Sequence, residues 1–349
     1  MTIAPPSPAS YEVAMKRAFE LAHKGPRTGP NPQVGCVLVD PSNTIVAEGW
    51  HKGAGTPHAE IMALQNLAHS GLSAKGLTAV VSLEPCAHTG KTGPCAPALI
   101  DAGVSRVVFA VVDPGAASRG GAKQLQSSGI DVIQGVEEAA GTALIERWLH
   151  SVNTSRPWVT LKWAMSLDGR LAAADGTSQW ITGEQTRAKV HRDRSDHDAI
   201  IVGINTVLVD NPRLTARNPE GELYPHQPLA IVMGRREVPQ DALIREHPGG
   251  FEHVHDHDVS GLLTSLGERD IRSVYVEGGA TLASAFLAQG VVDELHITMG
   301  PLFLGGPNLS VTDLGVSSMR DAHRLTITDV QRFGDDIVVT ARPHEEGSL

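Results

Sequence analysis

His58-Ala59-Glu60 and, further along, Glu84-Pro85-Cys86-Ala87-His88-Thr89-Gly90-Lys91-Thr92-Gly93-Pro94-Cys95 decide how the first half of this chain is read. Together they offer one imidazole, two thiols and a spare carboxylate. Three protein ligands with a fourth position left for water describe a catalytic zinc, and such a zinc lowers the pKa of that water toward neutrality. His58, Cys86 and Cys95 are therefore the expected zinc ligands. Glu60, two residues from His58, is the expected proton carrier. The competing reading, a buried histidine with two apolar core cysteines, does not account for a carboxylate and two Pro-Cys steps in this order.

The order H-x-E then P-C resembles the signature of zinc deaminases acting on nucleobases. Here the cysteines are separated by eight residues rather than two. The inserted stretch carries two glycines, a proline, His88 and Lys91, so an ordered loop is expected there.

Upstream, Tyr11 to Lys24 places Val13, Met15, Ala18, Leu21 and Ala22 at helical spacing. The Gly25–Pro32 segment breaks that helix. Val34–Val39 and Thr44–Gly49 read as a hairpin, and His58 opens a helix. Thr78–Leu83 and Arg106–Val112 read as buried strands, with helices at Ala96–Ala102 and Lys123–Ser128 and a strand at Ile130–Gln134. Strands alternating with helices predict a three-layer α/β domain. A helix is expected over Val136–His150, followed by a polar stretch ending in Pro157. The expected domains are thus 1–150 and 151–349.

The second half starts again with a strand, Trp158–Ala164. A helix is expected over Thr182–His191, capped by Thr182 with Gln185 in the capping-box position. Strands follow at Ala199–Gly203, Leu229–Met233, Ser273–Val276, Glu294–Met299 and Ile337–Ala341. Glu277-Gly278-Gly279-Ala280-Thr281 leads into a helix whose first N–H groups can hold a phosphate. No G-x-G-x-x-G follows a first strand, so an ordinary dinucleotide fold is not indicated. The glycine-led, polar run from Gly249 to Asp258 holds His253, His255 and His257. With no other ligand nearby in sequence, it reads as an exposed loop rather than a metal site.

The bulk numbers narrow the class. The 349 residues suit two domains, and 41% apolar content supports real cores. A formal charge of −10 disfavours a polyanionic partner, since phosphate contacts need Lys and Arg. Three cysteines do not make a disulfide framework, and Cys36 reads as a core strand residue. No stretch approaches a membrane span, and Met1–Ser10 lacks the apolar segment of a signal peptide. The expectation is a cytoplasmic protein with no nucleic-acid or membrane partner.

Taken together, the motifs resemble the bifunctional deaminase–reductase family of riboflavin biosynthesis. The first half matches through Pro30-Asn31-Pro32, Val34-Gly35-Cys36, Gly49-Trp50-His51, Pro57-His58-Ala59-Glu60, Leu83-Glu84-Pro85-Cys86 and Gly93-Pro94-Cys95. The second half matches through Leu161-Lys162, Ser166–Arg170, Ser178–Thr182, Thr206–Pro212 and Glu277-Gly278-Gly279. The resemblance runs from Tyr11 to about Arg342. It implies a cytidine-deaminase-like domain followed by a dihydrofolate-reductase-like one. It implies zinc-dependent deamination of a diaminopyrimidine ribosylamine phosphate, then NADPH-dependent reduction of the ribosyl group to ribityl. The long spacing between the cysteines is ordinary in that family.

By position, the resemblance implies pyrimidine contacts at Asn31, His51 and Lys91. It implies NADPH contacts at Ala164, Trp180, Thr206, Asp210, Gly279, Ala280 and Thr281. Ser178, Arg194, Leu214, Arg217 and Glu277 match substrate contacts, and the two arginines suit a phosphate. A homodimer or homotetramer is implied as well. Two positions depart from the pattern: Asp113-Pro114-Gly115-Ala116 replaces Asp-Pro-Asn-Pro, and Gly234-Arg235 replaces Asp-Ser. An arginine beside the cofactor would suit the extra phosphate of NADPH. The rival readings are a deaminase of free cytosine or tRNA adenosine with an unrelated tail, and a degenerate paralogue that binds a pyrimidine nucleotide without one or both activities.

Overall fold

A computed structural model describes residues 8–88, 93–116 and 118–344. The chain divides into two compact units, Met1–Thr154 and Ser155–Leu349.

The first unit runs α1 (Glu12–Ala22), β1 (Gly35–Val39), β2 (Ile45–Trp50), α2 (Ala59–His69), β3 (Thr78–Leu83), α3 (Cys95–Asp101), β4 (Arg106–Val111), α4 (Gly121–Ser127), β5 (Asp131–Gln134), α5 (Glu138–Leu144) and α6 (Glu146–Thr154). Its five strands lie in the order β2-β1-β3-β4-β5. β1 is antiparallel to both neighbours, whereas β3, β4 and β5 are parallel. The central strands are apolar throughout because both faces are covered. Cys36, Leu38, Val81 and Phe109 face α2, α3 and α4. Val37, Val39, Val80 and Val108 face α1 and the α5–α6 side. This is the expected three-layer domain, with Cys36 in its core.

The expected single helix over 136–150 is two helices, α5 and α6, meeting at Ile145. The second continues to Thr154, beyond the expected boundary at 150/151. The polar residues Asn153 and Thr154 extend it, and Thr154 Oγ1 donates back to His150 O (2.8 Å).

The second unit runs β6 (Trp158–Ser166), α7 (Glu184–Ser195), β7 (Ala199–Gly203), α8 (Ile204–Asp210), β8 (Leu229–Met233), β9 (Phe251–Val254), α9 (Val259–Glu268), β10 (Ser273–Glu277), α10 (Ala280–Ala288), β11 (Glu294–Gly300), β12 (Leu325–Phe333) and β13 (Asp336–Pro343). The eight strands are ordered β12-β13-β11-β6-β10-β7-β8-β9. Strands β11 to β9 run parallel, and β13 and β12 return antiparallel. One face packs on α9 and α10 through Leu161, Ile201, Val276, Leu263 and Phe286. The other packs on α7 and α8 through Ile200, Val202, Tyr275, Val190 and Val207.

Two local expectations are corrected, and one strand is new. The Gly249–Asp258 run is not all loop: Phe251–Val254 is the edge strand β9, paired in parallel with β8. Thr182 does not cap α7; Gly183 holds the cap position without a side-chain bond. Instead Asp336, at the start of β13, accepts from Gly183 N (2.6 Å) and Thr186 Oγ1 (2.6 Å), so the helix is capped from far along the chain. β12 itself was not expected, because its Leu325, Ile327 and Val330 are not packed in a core and are interrupted by polar residues. No helix among the described residues is long and apolar enough to cross a membrane.

Candidate active sites

His58 occupies the N-cap of α2 in extended conformation, which turns its ring out of the helix. Cys95 is the first residue of α3, and Cys86 lies just past β3. The three meet. His58 Nδ1 is 3.6 Å from Cys86 Sγ and 3.3 Å from Cys95 Sγ, and the Cys95 N–H points at Cys86 Sγ (3.4 Å). Their ligand atoms all lie within 4.8 Å of one another. One nitrogen and two sulfurs at this spacing fit a tetrahedral zinc with one position to spare. Hydrogen bonds from Cys95 and then His58 pull the Cys86 thiol down to about 4, the direction a metal-binding thiolate needs. Cys95, the donor of that bond, is pushed the opposite way.

Glu60 sits in the first turn of α2 and is buried. Burial pushes its pKa up, partly opposed by the charge of His58, so it can hold a proton. His51 stands edge-on to His58, with ring centroids 5.3 Å apart. Its tautomer is fixed by its partners. Nδ1–H donates to Pro57 O (3.2 Å), so Nε2 accepts from the amide of Asn31 (3.0 Å). Burial lowers the pKa of His51 and favours that neutral form. The Asn31 loop is held in turn by Trp148 Nε1 donating to Pro30 O (3.1 Å) and by Gln33 donating to Gly25 O (2.7 Å). Asn31, His51, His58, Glu60, Cys86 and Cys95 are thus gathered in one place. Lys91 lies outside the described residues.

At the Gly115 departure a Cβ would meet only the side-chain ends of Ser118 (Oγ, 2.3 Å) and Asp113 (Oδ1, 3.0 Å), so a side chain there would require those two to turn aside. Asp113 is buried, accepts from Gly115 N (2.8 Å), and is pushed up by that burial.

In the second unit a cavity of about 800 Å³ opens at the C-terminal ends of β6 and β10, on the α7–α8 side. Ligands of open α/β sheets bind outside these strand ends. Of the expected cofactor residues, Ala164, Trp180, Thr206, Asp210 and Gly279 line it. Ala280 and Thr281 do not line it; they form the first turn of α10, behind Gly279. Of the expected substrate residues, Ser178, Arg194, Leu214, Arg217 and Glu277 all line it. Trp180 is 66% exposed, which rules out a core role, and Arg187 stacks over its ring at 4.5 Å.

Arg194 is not an open phosphate clamp. It grips Glu277 with two bonds, Nε–Oε1 at 2.5 Å and Nη2–Oε2 at 2.9 Å. Burial works against the Glu277 carboxylate, but Arg194 outweighs it and holds the pKa below the usual range. Arg217 donates to Thr215 Oγ1 (3.0 Å) and Gly221 O (2.8 Å).

Lys162 is a further residue of this site. It pairs in register with Glu277 on β10 and His296 on β11, and it lines the cavity. Burial lowers its pKa, with Glu277 pulling the other way. The signal was present in the sequence: one charge inside the apolar strand Val159–Ala164. Arg235 does not line the cavity. Its neighbour Arg236 reaches Asn205 Oδ1 (3.2 Å), and Asn205 does line it.

Residues 8–111 match the cytidine and deoxycytidylate deaminase zinc-binding region, and residues 157–339 match the RibD C-terminal domain. The riboflavin biosynthesis protein RibD of Mycobacterium tuberculosis is 42% identical over 95% of this chain and 97% of its own length. This chain belongs to the RibD family. The RibD of Escherichia coli is 39% identical over 93% of this chain and 97% of its own. Among solved structures, a RibD of Acinetobacter baumannii superposes with a TM-score of 0.88 at 35% identity, covering 97% of this chain and 99% of that one. A diaminohydroxyphosphoribosylaminopyrimidine deaminase/5-amino-6-(5-phosphoribosylamino)uracil reductase of Thermotoga maritima does so at 0.87 and 36%, with 97% and 99% covered. The RibD relatives match along the whole chain, so neither half is an unrelated tail.

Proposed function

We infer that this chain performs two steps of riboflavin biosynthesis. It deaminates 2,5-diamino-6-(5-phosphoribosylamino)pyrimidin-4(3H)-one and then reduces the ribosyl group of the resulting uracil to ribityl. The observation that carries this reading is the joint presence of two sites: the His58–Cys86–Cys95 cluster beside Glu60, and the cavity that holds Lys162 against Glu277. We assign deamination to residues up to Thr154 and reduction to those from Ser155 on.

His58, Cys86 and Cys95 would hold the zinc, which would supply the Lewis acidity that makes water a nucleophile at neutral pH. Glu60, beside that ligand set, would hold and move the protons that pass between the attacking water, the ring nitrogen and the departing amine. A carboxyl raised by burial suits both directions of transfer. His51, with both ring nitrogens engaged, fixes the amide of Asn31, whose remaining N–H and Oδ1 would meet the pyrimidine edge.

In the second unit NADPH supplies the hydride. Trp180, Ala164, Thr206 and Asp210 line the cavity and would hold the cofactor, and Gly279 opens α10 with free N–H groups that would suit a phosphate. Arg236, with Arg235 beside it, reaches the cavity wall at Asn205 and would suit the extra phosphate of NADPH. The sugar must open and gain a proton before its C1 accepts hydride. We assign that proton to Lys162, whose ammonium is buried and made more acidic. Glu277, kept ionised by Arg194, orients it. Arg217 faces the substrate phosphate.

We further place the protein in the cytoplasm, where its three free cysteines stay reduced, and propose self-association through the second unit. Strand β12 ends the eight-stranded sheet, and Ile327 is 62% and Val330 58% exposed on it. An uncovered apolar edge invites pairing with a second copy.

The test measures ammonia release and NADPH oxidation separately on the diaminopyrimidine substrate. Wild type does both in sequence. Glu60→Ala does neither until it is given the deaminated intermediate, which it then reduces. NADPH left untouched even with the intermediate supplied would sink the reductase assignment.

A further inference from the structure

The run Gly249–Asp258 holds three histidines with no other ligand near them in sequence. The fold supplies one. Glu237, on the turn that leaves β8, comes beside His253 at the end of β9 and His255 just beyond it. One ligand atom from each of the three lies within 4.8 Å of the others. We propose that Glu237, His253 and His255 form a second metal site, separate from the thiolate site, for a divalent ion of the zinc, nickel and cobalt class.

Three observations support it. The imidazoles of His253 and His255 are two residues apart in extended chain and lie on the same side, with ring centroids 3.8 Å apart. The Glu237 carboxylate stands 3.9 Å from His255 Nδ1, on the scale of two ligands that share an ion rather than a direct hydrogen bond. The tautomer of His253 is also set. Gly234 O can only accept, so Nε2–H donates to it (2.8 Å). That leaves the Nδ1 lone pair for a metal, and a backbone carbonyl holding the second ring nitrogen is the usual support of a ligating histidine. Two imidazoles and one carboxylate, with Glu237 and His255 exposed and His253 half-buried, leave coordination positions open to water. Nitrogen-rich donors of this kind prefer the later first-row divalent ions to magnesium or calcium.

The site lies close to the cofactor cavity along the chain. Gly234 has φ of +137°, and a Cβ there would meet Ile204 Cγ2 at 2.4 Å, so this backbone turn is glycine-dependent. Two residues on, Arg236 donates to the cavity-lining Asn205. An ion held by Glu237 and the two histidines fastens the turn that carries Arg235 and Arg236 to the edge strand.

The experiment uses the full chain without a histidine tag, loaded with one equivalent of zinc and titrated with Co²⁺. Bound metal is counted, and the cobalt spectrum is recorded. The expected result is one further equivalent, with cobalt ligand-field bands and no thiolate-to-cobalt charge transfer. His255→Ala abolishes that equivalent, while zinc in the thiolate site and deamination stay unchanged. Glu237→Gln weakens it about tenfold or more, as expected for loss of one anionic ligand. Wild type that takes up no cobalt beyond exchange into the thiolate site overturns the proposal. Loss of the extra equivalent in His257→Ala but not in His255→Ala overturns it too, since a loose run of histidines would then hold the ion.

Discussion

Arg194 and Glu277 form a two-pronged buried ion pair on the wall of the reductase cavity, beside Lys162. Helix α7 carries the arginine and strand β10 the carboxylate, so the pair ties one layer of the unit to the sheet. Breaking a buried pair by removing one partner leaves a charge without compensation and costs about 3–5 kcal/mol. Arg194→Ala is therefore expected to lower the unfolding free energy of the second unit by roughly that amount and to abolish NADPH oxidation. Arg194→Ala/Glu277→Gln removes both charges and is expected to regain much of the stability but none of the activity. Denaturant melts of the single and double variants measure the difference. Equal stability of the two variants would show that the pair carries no net charge coupling.

Next to this pair, His296 gives the second unit a pH dependence. Burial lowers the pKa of His296, but Asp193 (3.2 Å) and Glu294 (3.2 Å) outweigh it and raise it above the ordinary imidazole value of 6.5. Lys189, salt-bridged to the same Asp193 at 2.7 Å, opposes that rise. A raised histidine stabilises the fold fully below the unfolded pKa, and that stability is lost as pH rises through the folded one. The thermal midpoint of the second unit is expected to fall as pH climbs from about 6.5 into the alkaline range. His296→Gln flattens that slope. A midpoint that rises over the same range in wild type contradicts the assignment.

How much of this was legible in the sequence follows from where the partners lie. The gathering of His58, Cys86, Cys95 and Glu60, and the strands of both units other than β9 and β12, depend on local spacing and apolar runs, and they were readable. The Asn31–His51 pair was reached by resemblance, and only the fold shows that it is a tautomer lock. Arg194 was read as a phosphate clamp because a guanidinium suits one; its carboxylate partner lies 83 residues away. Strand β12 escaped because its apolar residues are exposed at a sheet edge, where no core imposes alternation. Glu237 was invisible beside His253 and His255 for the same reason as Glu277 beside Arg194: the partners are distant in sequence and only the tertiary fold brings them together.

Asp336 is another such long-range contact. It accepts from Gly183 N and Thr186 Oγ1 and so caps α7, directly after the segment that carries Ser178 and Trp180 to the cavity. Loss of a capping side chain costs about 0.5–2 kcal/mol. Asp336→Ala is expected to destabilise the second unit by about that amount and to raise the KM for NADPH several-fold, with kcat less affected. Deamination is expected to remain at the wild-type level. An unchanged KM would separate the cap from the cofactor wall.

The two chemistries should come apart cleanly at Glu60. Glu60 belongs to the first unit, beside the His58–Cys86–Cys95 cluster but outside that ligand set. Glu60→Gln keeps the shape and removes the proton carrier. Loss of a positioned acid–base group costs about 10²–10⁴-fold in rate. Ammonia release should fall within that range while bound zinc stays at one per thiolate site, and NADPH oxidation with the deaminated intermediate should be unaffected. Removal of zinc with a strong chelator should reproduce the loss of deamination, again with reduction spared. Retention of deamination in Glu60→Gln with zinc bound would transfer the proton carrier to another group, and buried Asp113 would be the next residue to test.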